Sequence, residues 1–147
     1  MLIKDLLHNK GSSVFTILEE ASTLDAITTL NERHVGSLIV LNEDGAVMGI
    51  ISERDILANF QESVQGVPVT KIMTPKEKLI ITHGHDSIDY AMSIMTEKRI
   101  RHLPVFEEDR LIGLVSIGDV MKAVSKNLEF ESKQLNEYIS GSYTMVP

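Results

Sequence analysis

Gly49-Ile50-Ile51-Ser52-Glu53-Arg54-Asp55 and Gly113-Leu114-Val115-Ser116-Ile117-Gly118-Asp119 are two copies of one pattern, 64 residues apart. In each copy an apolar run of strand type meets Ser-x-x-Asp, and a helical period begins at once. Upstream of these stretches the offset becomes 65. Ala26 then matches Ala91, Leu30 matches Met95, Glu32 matches Glu97, Leu38 matches Leu103 and Val40 matches Val105. The one-residue slip falls between Asn42-Glu43-Asp44-Gly45 and Glu107-Glu108-Asp109, where a hairpin turn absorbs it. A period this long is not a solenoid repeat. It reads as the tandem duplication of a unit of about 60 residues.

Both units carry the same order of elements. Thr23, Ala26, Ile27 and Leu30 recur at helical spacing, as do Ile88, Ala91, Met92 and Met95, and Ser22 and Ser87 stand where an N-cap is favoured. A strand follows at Ser37-Leu38-Ile39-Val40-Leu41 and at His102-Leu103-Pro104-Val105-Phe106, then a turn. The second strand is Val47 to Ile51 or Leu111 to Val115, and a second helix starts near Glu53 and near Ile117. Short strands precede each unit, Val14-Phe15-Thr16-Ile17 and Leu79-Ile80-Ile81-Thr82. The expected fold is α/β, two β-α-β-β-α repeats plus a C-terminal helix. The expected division is repeat one over 1–60, a surface linker over 61–69, repeat two over 70–126 and a helical tail over 127–147. Thr70 to Thr74 reads as one helical turn before Pro75. The tail sets Leu128, Leu135 and Ile139 among polar residues, as an amphipathic helix ending near Gly141.

Composition removes several classes of function. The net charge is −7, which gives no general attraction to nucleic acid or to an anionic membrane. There is no cysteine, hence no disulfide and no thiolate metal site, and a reducing, cytoplasmic setting is expected. No apolar stretch reaches the length of a membrane span, and the first residues lack the apolar core of a signal peptide. No nucleophile elbow, P-loop or His-Glu-x-x-His motif occurs, so an enzyme is not expected.

Ser-x-x-Asp after a strand supports two chemistries. Ser at N-cap with an acid three residues on is close to a capping box, in which each side chain satisfies a backbone donor. The same helix start presents unpaired N–H groups and a positive dipole end suited to a phosphate. The serine hydroxyl can bind a sugar or phosphate oxygen, and the carboxylate can accept from the vicinal hydroxyls of a ribose. The strand before each unit would wall a base with Ile17, or with Ile81 and Thr82. The pattern alone leaves caps and ligand sites both open.

The duplicated set, with Val35-Gly36-Ser37-Leu38-Ile39-Val40, Ile100-Arg101-His102-Leu103-Pro104-Val105 and Lys71-Ile72-Met73-Thr74, resembles the tandem CBS domain pair. That family, also called the Bateman module, takes its name from cystathionine β-synthase. The resemblance covers about residues 3–125. It implies two pseudo-symmetric clefts between the repeats that bind an adenine nucleotide: AMP, ADP, ATP, NAD(H) or S-adenosylmethionine. It assigns the ribose to Asp55 and Asp119, and ribose or phosphate contacts to Ser52 and Ser116. Arg101 and His102 in repeat two, and only Gly36 and Ser37 in repeat one, fall near the phosphate, and Leu38, Leu103 and Pro104 are counted with them as nucleotide-binding. Arg54 stands where repeat two has Gly118, and Ser37-Leu38-Ile39 lacks the proline that repeat two keeps as Pro104, so the two clefts are not expected to be equivalent. The resemblance further implies a regulatory module, a homodimer and an unidentified regulated protein as partners. The alternative is a structural dimerisation or assembly module with degenerate clefts.

Three further motifs stand outside this pattern. His83-Gly84-His85 could hold a metal through alternating imidazoles, but reads as a solvated loop, so no metal is expected. Met73, Met92, Met95 and Met121 read as core fillers. Lys98-Arg99-Ile100-Arg101-His102 suits either a helix C-terminus or a phosphate.

Overall fold

The computed structural model describes residues 1–60 and 66–144. The first part of the expected linker, 61–65, lies outside the described residues. Along the chain stand α1 (Ile3–Lys10), β1 (Thr16–Leu18), α2 (Thr23–Arg33), β2 (Ser37–Leu41), β3 (Val47–Ser52), α3 (Glu53–Asn59), α4 (Val69–Ile72) and β4 (Thr74–Pro75). A 3-10 turn (Lys76–Lys78), β5 (Thr82–His83), α5 (Ile88–Lys98), β6 (His102–Glu107), β7 (Arg110–Ser116) and α6 (Ile117–Thr144) complete it. The duplicated β-α-β-β-α order is therefore present.

Two compact units share the chain. One comprises residues 12–81 and 104–114, the other residues 1–11, 82–103 and 115–147. In the first, a four-stranded sheet runs β1-β2-β3-β4. β1 is parallel to β2, while β3 is antiparallel to both β2 and β4. Ala26 and Leu30, one helical turn apart on α2, close over Leu38, Val40 and Ile51 of the sheet, with Ile56 and Val69 completing the core. Ser22 starts α2 through a reciprocal cap with Asp25: the Asp25 N–H donates to Ser22 Oγ and the Ser22 N–H donates to Asp25 Oδ2. The end of the expected linker is not a loose surface segment. Val69 is fully buried, its N–H donates to the Ala21 carbonyl, and the Thr23 N–H donates to the Val67 carbonyl.

The helical turn expected at 70–74 stops at Ile72, and Thr74 joins β4 instead. Pro75 disfavours helical backbone at the residue before it. β4 then crosses β3 at Gly49, where a side chain would collide with the Thr74 carbonyl oxygen and come within 3.1 Å of Met73 Sδ. Glycine is required there by this approach of backbone to backbone.

In the second unit Ile88, Ala91 and Met95 form the buried stripe of α5, and Ser87 Oγ accepts from the Tyr90 N–H at its start. α1, which lies outside the expected repeat elements, belongs to this unit. Ile3, Leu6 and Leu7 are buried, the Ile3 and Lys4 N–H groups donate to the Asp86 and Gly84 carbonyls, and the Ile88 N–H donates to the Met1 carbonyl. A second sheet runs β5-β6-β7. The strands expected at Val14–Ile17 and Leu79–Thr82 are both displaced toward the C-terminus, to Thr16–Leu18 and Thr82–His83. The expected tail is not a separate helix: α6 passes residue 127 without a break and continues beyond Gly141 to Thr144. Met121 is not a core filler, because its side chain is 59% exposed, whereas Met95 is buried. Among the described residues no helix is long and apolar enough to cross a membrane.

Candidate functional site

β3 and β7 each run directly into a helix, and the junction is built the same way twice. The Asp55 N–H donates to Ser52 Oγ at 3.2 Å, and the Ser52 N–H and hydroxyl both donate to Asp55 Oδ2 at 3.0 Å. In the other copy the Asp119 N–H donates to Ser116 Oγ at 3.1 Å, and the Ser116 N–H donates to Asp119 Oδ2 at 2.9 Å. The capping box is thus real in both repeats. It engages one carboxylate oxygen, Oδ2, and leaves Oδ1 outside the cap.

The strand before each hairpin supports the helix start. The Glu53 N–H donates to the Gly36 carbonyl at 3.0 Å, and the Ile117 N–H donates to the Arg101 carbonyl at 2.8 Å. Gly36 and Arg101 therefore occupy matching places beside the Ser-x-x-Asp turn. Ser37 pairs with Ser52 across β2 and β3. Its side chain is only 3% exposed, and among the described residues its hydroxyl has no hydrogen-bond partner. Arg54 and Arg101 are exposed, and His102 is half-buried.

Other expected residues sit deeper. Leu38, Leu103 and Pro104 are buried, so a ligand could meet only their backbone. Ile17 packs against the first core cluster from β1, one strand removed from β3. Thr82 is buried, and its hydroxyl donates to Asp86 Oδ2 at 2.8 Å, so this side chain is engaged in its own turn; Ile81 beside it is 36% exposed. The first unit accordingly gathers Gly36, Ser37, Ser52, Arg54 and Asp55. The second gathers Arg101, His102, Ser116 and Asp119.

Two residues at the motif carboxylates escaped the sequence reading. The Lys10 ammonium, at the end of α1, donates to Asp119 Oδ2 at 2.7 Å with both side chains about one-third exposed. The Thr74 hydroxyl lies 3.5 Å from Asp55 Oδ1. The sequence carries a signal for the helix that bears Lys10, though not for its partner: Ile3, Leu6 and Leu7 make a helical stripe, with Asp5 early and Lys10 late in the helix. Burial pushes the Asp119 carboxyl up, but the hydrogen bond from Lys10, those from Ser116 and the Lys10 charge outweigh it. The group is held below its ordinary value.

A family model described as CBS domain matches the chain twice, over residues 3–62 and 69–126. The mitochondrial CBS domain-containing protein CBSX3 of Arabidopsis thaliana is 37% identical over 96% of this chain and 73% of its own length. The crystal structure of the CBS-domain containing protein ATU1752 from Agrobacterium tumefaciens is similar with a TM-score of 0.78 and 37% identity, over 84% of this chain and 98% of that one. A structure of CBSX2 in complex with AMP shares the fold, with a TM-score of 0.70 at 20% identity over 85% of this chain and 98% of that one. Duplicated sequence, duplicated capping junction and duplicated family match agree: the chain belongs to the CBS-domain family and carries two CBS domains in tandem.

Proposed function

We propose that this protein is a regulatory module that binds an adenine nucleotide (AMP, ADP, ATP or NAD(H)) and passes the binding event to another protein through a change of conformation. The observation that carries the reading is the division of labour within Asp55 and Asp119. In each, Oδ2 holds the helix cap, and Oδ1 is directed elsewhere than into it. A carboxylate fixed in this way can accept from the 2′- and 3′-hydroxyls of a ribose without reorganising. The adjoining helix start supplies N–H donors and positive potential for a phosphate. In repeat two the Arg101 guanidinium adds a fork suited to phosphate oxygens, where repeat one has Gly36. AMP in the related CBSX2 supports the ligand class. The role is binding, with no catalysis. A nucleotide that prefers one arrangement of the module shifts its population, and a partner reads the shift.

The test is thermal unfolding with AMP, ATP, NAD and 2′-deoxy-AMP. Ribonucleotides should raise the melting temperature more than the deoxy form, and replacing both Asp55 and Asp119 by Ala should remove the rise. Each lost charge-assisted bond is worth about 1.5–3 kcal/mol, while loss of each cap lowers basal stability by ~1 kcal/mol. Equal stabilisation of wild type and double variant rejects the site. Arg101→Ala should weaken AMP far more than adenosine; equal weakening makes Arg101 a helix-end residue only.

The module also works as a homodimer. Leu24, Tyr90, Met121, Leu128 and Leu135 are exposed apolar side chains on α2, α5 and α6, and a second copy would cover them. A monomeric mass in light scattering at micromolar concentration excludes the dimer. Dimerisation with no nucleotide effect favours the alternative, an assembly module.

A further inference from the structure

The turn from β5 into α5 gathers a second set of chemistry-bearing groups, apart from the Ser-x-x-Asp junctions. His83 Nδ1 lies 3.6 Å from Asp86 Oδ2, and His85 Nε2 lies 3.9 Å from Asp86 Oδ1. One donor atom from each of the three residues falls within 4.8 Å of the others. The two imidazoles are stacked, with centroids 5.4 Å apart and planes 14° from parallel. We propose that His83, His85 and Asp86 bind one divalent transition-metal ion of the zinc type.

The distances fit the chemistry. With metal–nitrogen and metal–oxygen bonds of about 2.0–2.2 Å and tetrahedral angles, two ligands of one ion stand ~3.3–3.6 Å apart. The His83–Asp86 separation already satisfies this, the His85–Asp86 separation is a few tenths of an ångström longer, and the widest pair must close by about an ångström. Two imidazoles and one carboxylate suit zinc, nickel or copper, whereas magnesium and calcium favour all-oxygen sites. The remaining coordination positions would face solvent, since His85 is 80% and His83 45% exposed.

The turn is held in place before any ion arrives. Asp86 Oδ2 accepts from the Thr82 hydroxyl and from the His83 N–H, both at 2.8 Å. The Asp86 N–H donates to the His83 carbonyl, and the Gly84 and Asp86 carbonyls accept from Lys4 and Ile3 of the N-terminal segment. His85, the most exposed of the three at 80%, has the freedom to swing its side chain and close the widest separation. The site is peculiar to the second repeat: repeat one has Leu18-Glu19-Glu20-Ala21 at the matching offset.

Calorimetric titration of the full chain with zinc chloride near neutral pH tests the proposal, with magnesium chloride as the control ion. One equivalent of zinc should bind and magnesium should not. Loss of an outer-shell partner alone costs about 10–100-fold in metal affinity, so His85→Ala and His83→Ala should each cost at least that. His8→Gln, on the exposed face of α1, should change nothing. His85 is exposed enough that its variant keeps the fold, which circular dichroism verifies. Zinc should also slow amide exchange at Ile3 and Lys4, whose N–H groups rest on this turn, and should not do so in His85→Ala. No zinc binding, zinc affinity unchanged in both variants, or equal binding of magnesium would each overturn the proposal.

Discussion

Replacing Ser37 by Ala should stabilise the ligand-free protein and weaken its response to nucleotide. The hydroxyl is 3% exposed and has no hydrogen-bond partner among the described residues. A buried polar group left unpaired costs about 1–3 kcal/mol. Alanine removes that penalty, and the missing oxygen leaves a void too small for a water and a small loss of contacts. The net gain is therefore ~1 kcal/mol, which for a chain of this size moves the melting temperature up by roughly 2–4 °C. Ser37 pairs with Ser52 across β2 and β3, so if the proposed ligand seats at the Ser52–Asp55 junction and opens the packing over this hydroxyl, it would complete it. The AMP-induced rise in melting temperature should then be smaller in the variant than in the wild type. Thermal unfolding by circular dichroism, with and without AMP, reads both quantities. A ligand-free melting temperature lower than wild type would show the hydroxyl to be satisfied already and refute the argument. A nucleotide shift of unchanged size would separate Ser37 from the ligand.

Lys10→Met should lower stability at neutral pH by about 0.5–1 kcal/mol, the range of a partly exposed ion pair. Asp119 titrates below its unfolded value, so its contribution is present above the unfolded pKa and lost as pH falls through the folded one; melting curves from pH 7 to pH 2 should show the wild type losing this increment and the variant lacking it from the start. Gly49→Ala should cost about 1–3 kcal/mol, because its side chain meets the Thr74 backbone rather than a side chain that can turn away. Gly118→Ala meets only Ser116 Oγ, at 3.7 Å, and removes a helix glycine, so it should add about 0.5–1 kcal/mol. A urea midpoint for Gly49→Ala equal to wild type would contradict the packing at β4.

The duplicated fold was legible because burial imposes periodicity. Ala26 and Leu30, and Ala91 and Met95, had to recur on the helical period to reach their sheets. The caps at Ser22, Ser52, Ser87 and Ser116 were legible because an N-cap is a local motif. What stayed hidden depends on long-range pairing. β4 is two residues long, and only its partner strand makes Thr74 and Pro75 a strand rather than the end of a turn. Nothing local in the sequence marks Asp86; the hydrogen bonds it accepts from Thr82 and His83 turn the His-Gly-His loop into a three-residue cluster. Lys10 was unreadable as a site residue, because 109 positions separate it from Asp119.

Lys10 and Thr74 share an architectural origin. Lys10 closes α1, which opens the first repeat, and Thr74 lies in β4, two residues after α4, which opens the second. In each case that segment belongs to the compact unit holding the other repeat's motif: α1 with Asp119, and α4 and β4 with Asp55. Opening segments are thus exchanged between repeats, and each delivers one polar side chain to a motif carboxylate. The exchange is symmetric in topology but not in charge. A cation reaches Asp119 and a neutral hydroxyl reaches Asp55. Next to Asp55 in the sequence stands Arg54, where repeat two has Gly118. The two junctions therefore differ in charge at two positions in different elements, Lys10 and Arg54. Exchanging the residues at 54 and 118 would not by itself convert one site into the other, because Lys10 would remain on Asp119.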